Sequence, residues 1–280
     1  MSEQNIFTNF YHAKKDTDNN LSYHYFSNIK YGNHNRNVLD LCLPKTDTSG
    51  LILFIHGGGW ISGDKSDYYY DMHHWCKTEG YATATINHRF ANGKDILLKE
   101  ILQDINLAIE KIIEIAKNYN IELKNVMLCG FSAGAHLALM YAYTTKNYLI
   151  KPIAVAAFSA PIDFTDANYS NILYAEDILY MISQVTGIEE NLNQVDIYNK
   201  LNSASPINFV DSSVPTIICH GYYDNVVPYS NAQRLDSALT EHNIEHELIT
   251  FKNSSHSLEF DNELWTVATQ KMKLYAKKYL

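Results

Sequence analysis

Short, mainly apolar segments recur along this chain and alternate with longer segments of helical periodicity. The apolar segments cover residues 51–55, 81–86, 125–129, 153–158, 216–219 and 245–251. Such runs are typical of strands that are buried on both faces. Between them, apolar residues recur at three- and four-residue steps, which predicts helices over residues 96–119, 137–143, 231–242 and 262–280. The alternation predicts an α/β fold with a mostly parallel central sheet and helices on both faces.

Three parts of the chain depart from this alternation. Residues 22–31 and 35–43 flank a turn and predict an antiparallel pair of strands, and the first twenty residues are polar and expected to be loose. Residues 163–208 mix loop residues with short helical patches, and we expect a short cap inserted over the functional site. No repeat or low-complexity linker interrupts the chain, so residues 1–280 are expected to form a single domain.

Composition and charge exclude several classes of partner. The 31 acidic and 22 basic residues give a net charge of -9, which argues against a nucleic-acid-binding surface. No apolar stretch is long enough to span a membrane, and the first ten residues show no signal-peptide pattern. The four cysteines lack CxxC spacing, which is typical of a reducing compartment. We therefore predict a cytoplasmic protein without nucleic-acid or membrane partners. Its oligomeric state is unknown from the sequence.

The segment GFSAG, residues 130–134, follows the predicted strand 125–129 and precedes a predicted helix. A G-x-S-x-G sequence between a strand and a helix predicts a sharp turn that exposes a strained serine, here Ser132, as a nucleophile. The helix N-terminus would favour a developing negative charge beside it. The alternative is that Ser132 only caps the helix, because serine is a common N-cap.

The segment HGGGW, residues 56–60, ends the predicted strand 51–55. Consecutive glycines let a backbone approach a ligand closely, so their N–H groups can stabilise an oxyanion. We predict that Gly58, Gly59 and Ala133 donate these hydrogen bonds. A flexible glycine loop or a phosphate-binding loop are the alternatives, but the Lys-Ser/Thr ending of a P-loop is absent.

Four segments together resemble a known superfamily: HGGGW at 56–60, GDK at 63–65, GFSAGAH at 130–136 and HGYYD at 220–224. They are similar to the α/β-hydrolases, and more narrowly to the HGGG-bearing esterase/lipase branch with its bacterial carboxylesterases and acetyl- or feruloyl-esterase-like proteins. The similarity extends from about strand 51–55 to the loop of His256. The resemblance implies the α/β-hydrolase fold and a serine hydrolase, and it says much less about the substrate.

The acid and the base follow the nucleophile in this fold, in the order serine, acid, histidine. His256 lies in a polar loop and is the only histidine after strand 245–251, so we predict it as the base. His220 is its nearest competitor and is expected to be a hydrogen-bonding neighbour. Asp224 follows strand 216–219 and is the predicted acid, with Asp163, after a different strand, as the alternative.

The predicted function is a serine carboxylesterase acting on small-molecule, short-chain acyl esters, with no metal and no organic cofactor. The resemblance adds acetylated carbohydrates and hydroxycinnamoyl esters as possible substrates. Trp60 and Tyr69 are predicted to bind substrate, although packing is the commoner role of aromatic residues. The insertion carries Tyr169, Tyr174, Tyr180 and Met181 and is expected to form a partial lid. A formamidase- or peptidase-like amide hydrolase and a non-catalytic binding protein remain as alternatives.

Overall fold

An eight-stranded sheet forms the centre of the computed structural model, which describes residues 22–172 and 175–280. The predictions for the first twenty residues and for Tyr174 fall outside these ranges. The strands are β1 Tyr23–Lys30, β2 Val38–Pro44, β3 Gly50–Ile55, β4 Ala82–Ile86, β5 Asn125–Phe131, β6 Lys151–Phe158, β7 Thr216–Gly221 and β8 His246–Phe251. Their order is β1-β2-β4-β3-β5-β6-β7-β8. Strands β1 and β2 pair antiparallel, and β3 to β8 run parallel, which confirms the predicted fold class.

The α-helices of the described residues are α1 Tyr69–Glu79, α2 Leu98–Asn118, α3 Ala133–Thr144, α4 Ala175–Thr186, α5 Gln194–Ser203, α6 Ser230–Glu241 and α7 Asn262–Tyr279. Short 3-10 helices cover Lys65–Tyr68, Ala167–Asn171 and Pro206–Ser212. Helices α2, α3, α6 and α7 coincide with the predicted helical segments. Helix α1 was not predicted, because it buries only Met72, Trp75 and Cys76 among polar and aromatic neighbours.

Two hydrophobic cores lie on opposite faces of the sheet. Along β3, Leu51, Leu53 and Ile55 join one core, and Ile52 and Phe54 join the other. This period of two is the alternation of side chains across a pleated strand. Helices α2, α3 and α6 cover the first core, and α1 and α7 cover the second. The sheet is therefore covered on both faces, as its apolar strands require.

Residues 163–208 leave the sheet between β6 and β7 and carry α4 and α5. On α4, Ile178 and Ile182 are buried against the core, whereas Leu179 and Tyr180 are exposed. The helix therefore presents an apolar face to the carboxyl edge of the sheet, where the parallel strands end. Within the two described ranges, no helix has the length and apolarity that crossing a membrane requires.

Candidate active site

Ser132 lies at a sharp turn between β5 and α3. Its backbone has φ 52° and ψ -122°, a left-handed conformation that is strained for any residue other than glycine. A side chain at Gly134 would overlap the backbone carbonyls of Ile55 and His56, so α3 packs directly against the end of β3. This close approach explains the small residue that follows the nucleophile by two positions, and it sets Ser132 beside the HGGG loop.

The structure brings the three predicted catalytic side chains together at the carboxyl edge of the sheet. The Nε2 atom of His256 lies 3.0 Å from Oγ of Ser132. Its Nδ1 atom lies 2.8 Å from Oδ2 of Asp224. The predicted nucleophile, base and orienting carboxylate are thus within hydrogen-bond distance of one another, in the order that the triad of a serine hydrolase requires.

The Asp224 carboxylate is held by donors on both of its oxygens. Oδ1 accepts hydrogen bonds from the N–H groups of Val226 and Val227, at 2.9 and 2.8 Å. Oδ2 faces His256 and also lies 3.0 Å from Nε2 of His220. Burial alone would raise the pKa of Asp224, but the two imidazoles and the hydrogen bonds outweigh it and hold the pKa well below its usual range. Asp224 is therefore ionised, and His220 supports it as the sequence predicted.

The loop that carries His256 is fixed by contacts that the motifs did not reveal. Ser159, directly after β6, donates a hydrogen bond from Oγ to the carbonyl of His256 at 2.8 Å. Asp261 accepts hydrogen bonds from Oγ of Ser254 at 2.6 Å and from the N–H of Asn253 at 2.9 Å. The only sequence signal for Ser159 is a polar residue at the end of an apolar strand.

Two of the predicted oxyanion donors, Gly58 and Gly59, line the cavity that contains Ser132, and the third, Ala133, follows Ser132 directly in the chain. Gly57 to Gly59 line the same cavity as Ser132, and Gly58 and Gly59 have φ values of 102° and 57°. In the turns and loops of the described residues, no backbone carbonyl accepts a hydrogen bond from the N–H groups of Gly58, Gly59 or Ala133. An amide without an internal acceptor beside a nucleophile is available to a substrate oxygen.

A cavity of about 300 Å³ opens beside Ser132. Its walls are mainly apolar, and α4 contributes Ile178, Met181 and Ile182 to them. Of the two residues predicted to bind substrate, Trp60 lines this cavity, but Tyr69 does not belong to its walls. The ring of Tyr69 packs on Tyr25 and His73. The preceding residue, Tyr68, lines the cavity instead. Tyr169 of the insertion also lines the cavity. Lining residues that the sequence did not indicate are Asp67, Phe131, Pro161, Val226 and Val227.

Asp163, the alternative acid, and His136 make contacts with residues outside the predicted triad. Asp163 pairs with Arg234 at 2.8 Å. His136, on α3, accepts a hydrogen bond from Nε1 of Trp60 at 3.2 Å and lies 2.7 Å from the carbonyl of Ala204, so it supports the packing behind the site. Across residues 22–172 and 175–280, no three His, Cys, Asp or Glu side chains are arranged to hold a metal ion.

The parallel sheet, the turn at Ser132 and the excursion between β6 and β7 define the α/β-hydrolase fold. The chain belongs to the BD-FAE family, whose model matches residues 39–239. This confirms the resemblance to the esterase/lipase branch of the superfamily.

Individual relatives are distant. Esterase LipQ of Mycobacterium tuberculosis is 23% identical over 230 residues, 77% of this chain and 52% of that protein. The chain therefore spans about half the length of this curated relative. Esterase B from Lactobacillus rhamnosis (HN001) superposes with a TM-score of 0.72 at 17% identity, covering 93% of this chain and 89% of that one. A truncated carbohydrate esterase from gut microbiota gives 0.70 at 21% identity, covering 91% and 98%. The two structures show a shared fold.

Proposed function

We propose that this chain is a serine carboxylesterase that hydrolyses small, short-chain acyl esters. The observation that carries the proposal is the contact of His256 with both Ser132 and Asp224, at 3.0 and 2.8 Å. A binding protein has no need of this arrangement, because the strained turn at Ser132 contributes nothing to binding that an ordinary helix start would not.

The proposed mechanism uses only side chains and amides of this chain. Oγ of Ser132 attacks the ester carbonyl while Nε2 of His256 takes its proton. The amides of Gly58, Gly59 and Ala133 stabilise the tetrahedral oxyanion that forms. Protonated His256 then donates the proton to the departing alkoxide, which leaves the acyl group on Ser132. Water, deprotonated by His256, then attacks the acyl group on Ser132. The same side chains and amides act in this second step, which releases the acid and returns the proton to Ser132. Throughout, Asp224 holds the imidazole in place and stabilises its charged form.

The substrate class follows from the cavity. We propose that residues 163–208 act as the cap over it, because Met181 of α4 lines the cavity and a side chain at Gly59 would overlap its sulfur. A space of about 300 Å³ bounded by this helix suits a short acyl chain. The similarity to a carbohydrate esterase makes acetylated sugars one candidate substrate, with acetate as the acyl group and the sugar as the alcohol. The four free cysteines are buried, in agreement with the predicted cytoplasmic location, which stays a prediction.

Amide hydrolysis is the second candidate, since the same triad performs acyl transfer to either leaving group. Rates on p-nitrophenyl acetate, butyrate and octanoate, compared with the matched anilides, separate the two. We expect esters to react faster and acetate or butyrate to exceed octanoate. A faster reaction of the anilides would replace the esterase proposal with the amidase one.

Ser132→Ala tests the nucleophile. Turnover should fall by about a millionfold, because removing the serine of a triad leaves only binding and the oxyanion donors. A fluorophosphonate should label the wild type and not the variant, with circular dichroism and Tm unchanged. Ser255→Ala is the matched control, because the Ser255 hydroxyl bonds Glu259 and not the triad. Equal labelling of wild type and Ser132→Ala would refute the proposal.

A further inference from the structure

Arg36, in the connection between β1 and β2, reaches the loop of residues 56–63, which we call the oxyanion loop. Its Nη2 atom donates to the carbonyl of Gly63 at 3.0 Å and lies 3.2 Å from Nε2 of His56. Its Nε atom donates to the carbonyl of His88 at 2.8 Å, and its guanidinium lies 3.7 Å from the ring centre of Phe90. The planar group is therefore fixed at several points against a loop far from it in sequence.

The contact with Arg36 determines which nitrogen of His56 carries the proton. A guanidinium only donates hydrogen bonds, so Nε2 of His56 must accept. In a neutral imidazole the proton then resides on Nδ1, which lies 2.7 Å from the carbonyl oxygen of Gly57 and donates to it. Arg36 thus selects the tautomer in which His56 binds its neighbour's carbonyl.

His56 is held in the neutral form that this argument requires. It is completely buried, and its ring stacks on His88 with centroids 4.5 Å apart. Burial first, and then the neighbouring His88 and Arg36, lower the pKa of His56 well below its usual value. The groups that face His56 are Arg36, His88, Asp64 and the Gly57 carbonyl, and the hydrogen bond to that carbonyl and the charge of Asp64 act in the opposite direction without reversing the shift of the pKa.

The oriented carbonyl fixes an amide on its other side. In a trans peptide the C=O and N–H groups point in opposite directions, so a Gly57 carbonyl directed at His56 turns the Gly58 N–H the other way. Gly57 and Gly58 both line the cavity that contains Ser132. We propose that Arg36 is a positioning residue for catalysis, aligning the Gly58 N–H with the developing oxyanion through the tautomer of His56. The inference rests on the proposed esterase function.

Arg36→Gln is the test. Without the cationic donor, Nε2 of His56 can take the proton, and Nδ1 then repels the Gly57 carbonyl instead of binding it. We expect kcat on p-nitrophenyl acetate to fall by about 10- to 100-fold, somewhat less than the loss of a whole oxyanion donor, with KM changed less than about threefold. Affinity for a trifluoromethyl ketone, which forms an oxyanion on Ser132, should fall in parallel. Arg36→Lys should retain part of the activity, because lysine still donates.

The matched control is Arg89→Gln. Arg89 binds Asp104 through a 2.8 Å salt bridge and donates to the carbonyl of Glu100, and among the residues that the structure describes its side chain makes no hydrogen bond to the oxyanion loop. It should lower Tm at least as much as Arg36→Gln while leaving kcat within about threefold. Equal losses of kcat in both variants would show that Arg36 acts only through stability.

Two further measurements decide whether Arg36 acts through His56. Long-range ¹H–¹⁵N spectra of the histidine rings should show His56 protonated on Nδ1 in the wild type and shifted toward Nε2 in Arg36→Gln. In a His56→Asn background, Arg36→Gln should lower kcat less than about threefold further. An unchanged tautomer, or an undiminished loss in that background, would overturn the inference. If the wild type hydrolyses no ester, the proposed function fails, and the tautomer measurement still tests Arg36.

Discussion

At the scale of single residues, the Asp224 carboxylate shows how the site fixes a proton. Its Oδ1 is occupied by two backbone N–H groups, so only Oδ2 faces the imidazoles of His256 and His220. In the proposed mechanism, an acceptor at Oδ2 keeps the His256 proton on Nδ1 and leaves Nε2 free to take the proton of Ser132. The two amides of the turn therefore determine which oxygen orients the base.

Asp224→Asn should lower kcat by about 10,000-fold, the loss typical of triads whose histidine adopts the wrong tautomer. The amide oxygen has to take the Oδ1 position because two N–H groups point at it, which turns the NH₂ group toward His256. Nδ1 of His256 must then accept, and Nε2 carries the proton. Steady-state kinetics on p-nitrophenyl acetate checks the loss.

The matched control for that variant is Asp163→Asn, because Asp163 is the alternative acid and pairs with Arg234 instead. Its kcat should stay within about threefold of the wild type. If Asp163→Asn were the more damaging of the two, the assignment of the acid would have to change.

At the scale of elements, α4 determines the size of the cavity. Met181 lies directly over Gly59, where no side chain fits, and Ile178 and Ile182 continue the same wall. The oxyanion loop and the proposed cap are therefore in contact, although they lie far apart in the sequence. A change in the wall alters the space for the acyl chain and leaves Ser132, His256 and Asp224 in place.

Met181→Ala should shift preference toward longer acyl chains. Removing the thioether side chain enlarges the cavity, so the ratio of kcat/KM for octanoate to that for acetate should rise about tenfold, the lower end of the effect of one methylene in an apolar pocket. Leu179→Ala is the control, because Leu179 lies on the exposed side of the same helix. An equal change of the ratio in both variants would contradict a role of Met181 in the cavity wall.

The elements and motifs that could be predicted are those whose signal is local. The strands, α2 and GFSAG are continuous patterns in the sequence, so they indicated the fold and Ser132. Tyr68 and Tyr69 are adjacent tyrosines that no local pattern distinguishes: Tyr68 ends a 3-10 helix and lines the cavity, whereas Tyr69 begins α1 and packs on Tyr25 and His73. Arg36 and Met181 approach the site from distant segments, and no local pattern marks such contacts.

At the scale of the whole molecule, several buried histidines tie folding to pH. His136 and His88 are completely buried, and burial lowers the pKa of each from 6.5 to about 4. The unfolded chain therefore binds more protons than the folded one between these values, and stability falls as the pH drops below about 6.5. Asp71 acts in the opposite direction: burial raises its pKa to about 7, so its contribution is lost as the pH rises through that value.

His136→Gln isolates one of these contributions. The variant is expected to be less stable at pH 7, since it loses the bond from Trp60, but the gap to the wild type should narrow on acidification. Between pH 7 and pH 5 we expect the difference in the free energy of unfolding to shrink by about 2 kcal/mol. One histidine changes this free energy by about 1.4 kcal/mol per pH unit, and about one and a half units lie between its unfolded pKa of about 6.5 and pH 5. Urea unfolding at both values measures the gap, and a constant gap would show that His136 is not neutral when folded.

The missing side chain at Gly134 has a consequence for how such an enzyme diverges. The backbones of helix α3 and of the end of β3 are in direct contact at Gly134. Ser132 and the oxyanion loop are therefore held together at a position where no side chain fits. The wall that α4 supplies is free of this constraint, and we expect changes of specificity to arise there more readily than at Gly134. A mutant library restricted to positions 178, 181 and 182 should yield variants with altered substrate preference while Ser132, His256 and Asp224 stay unchanged.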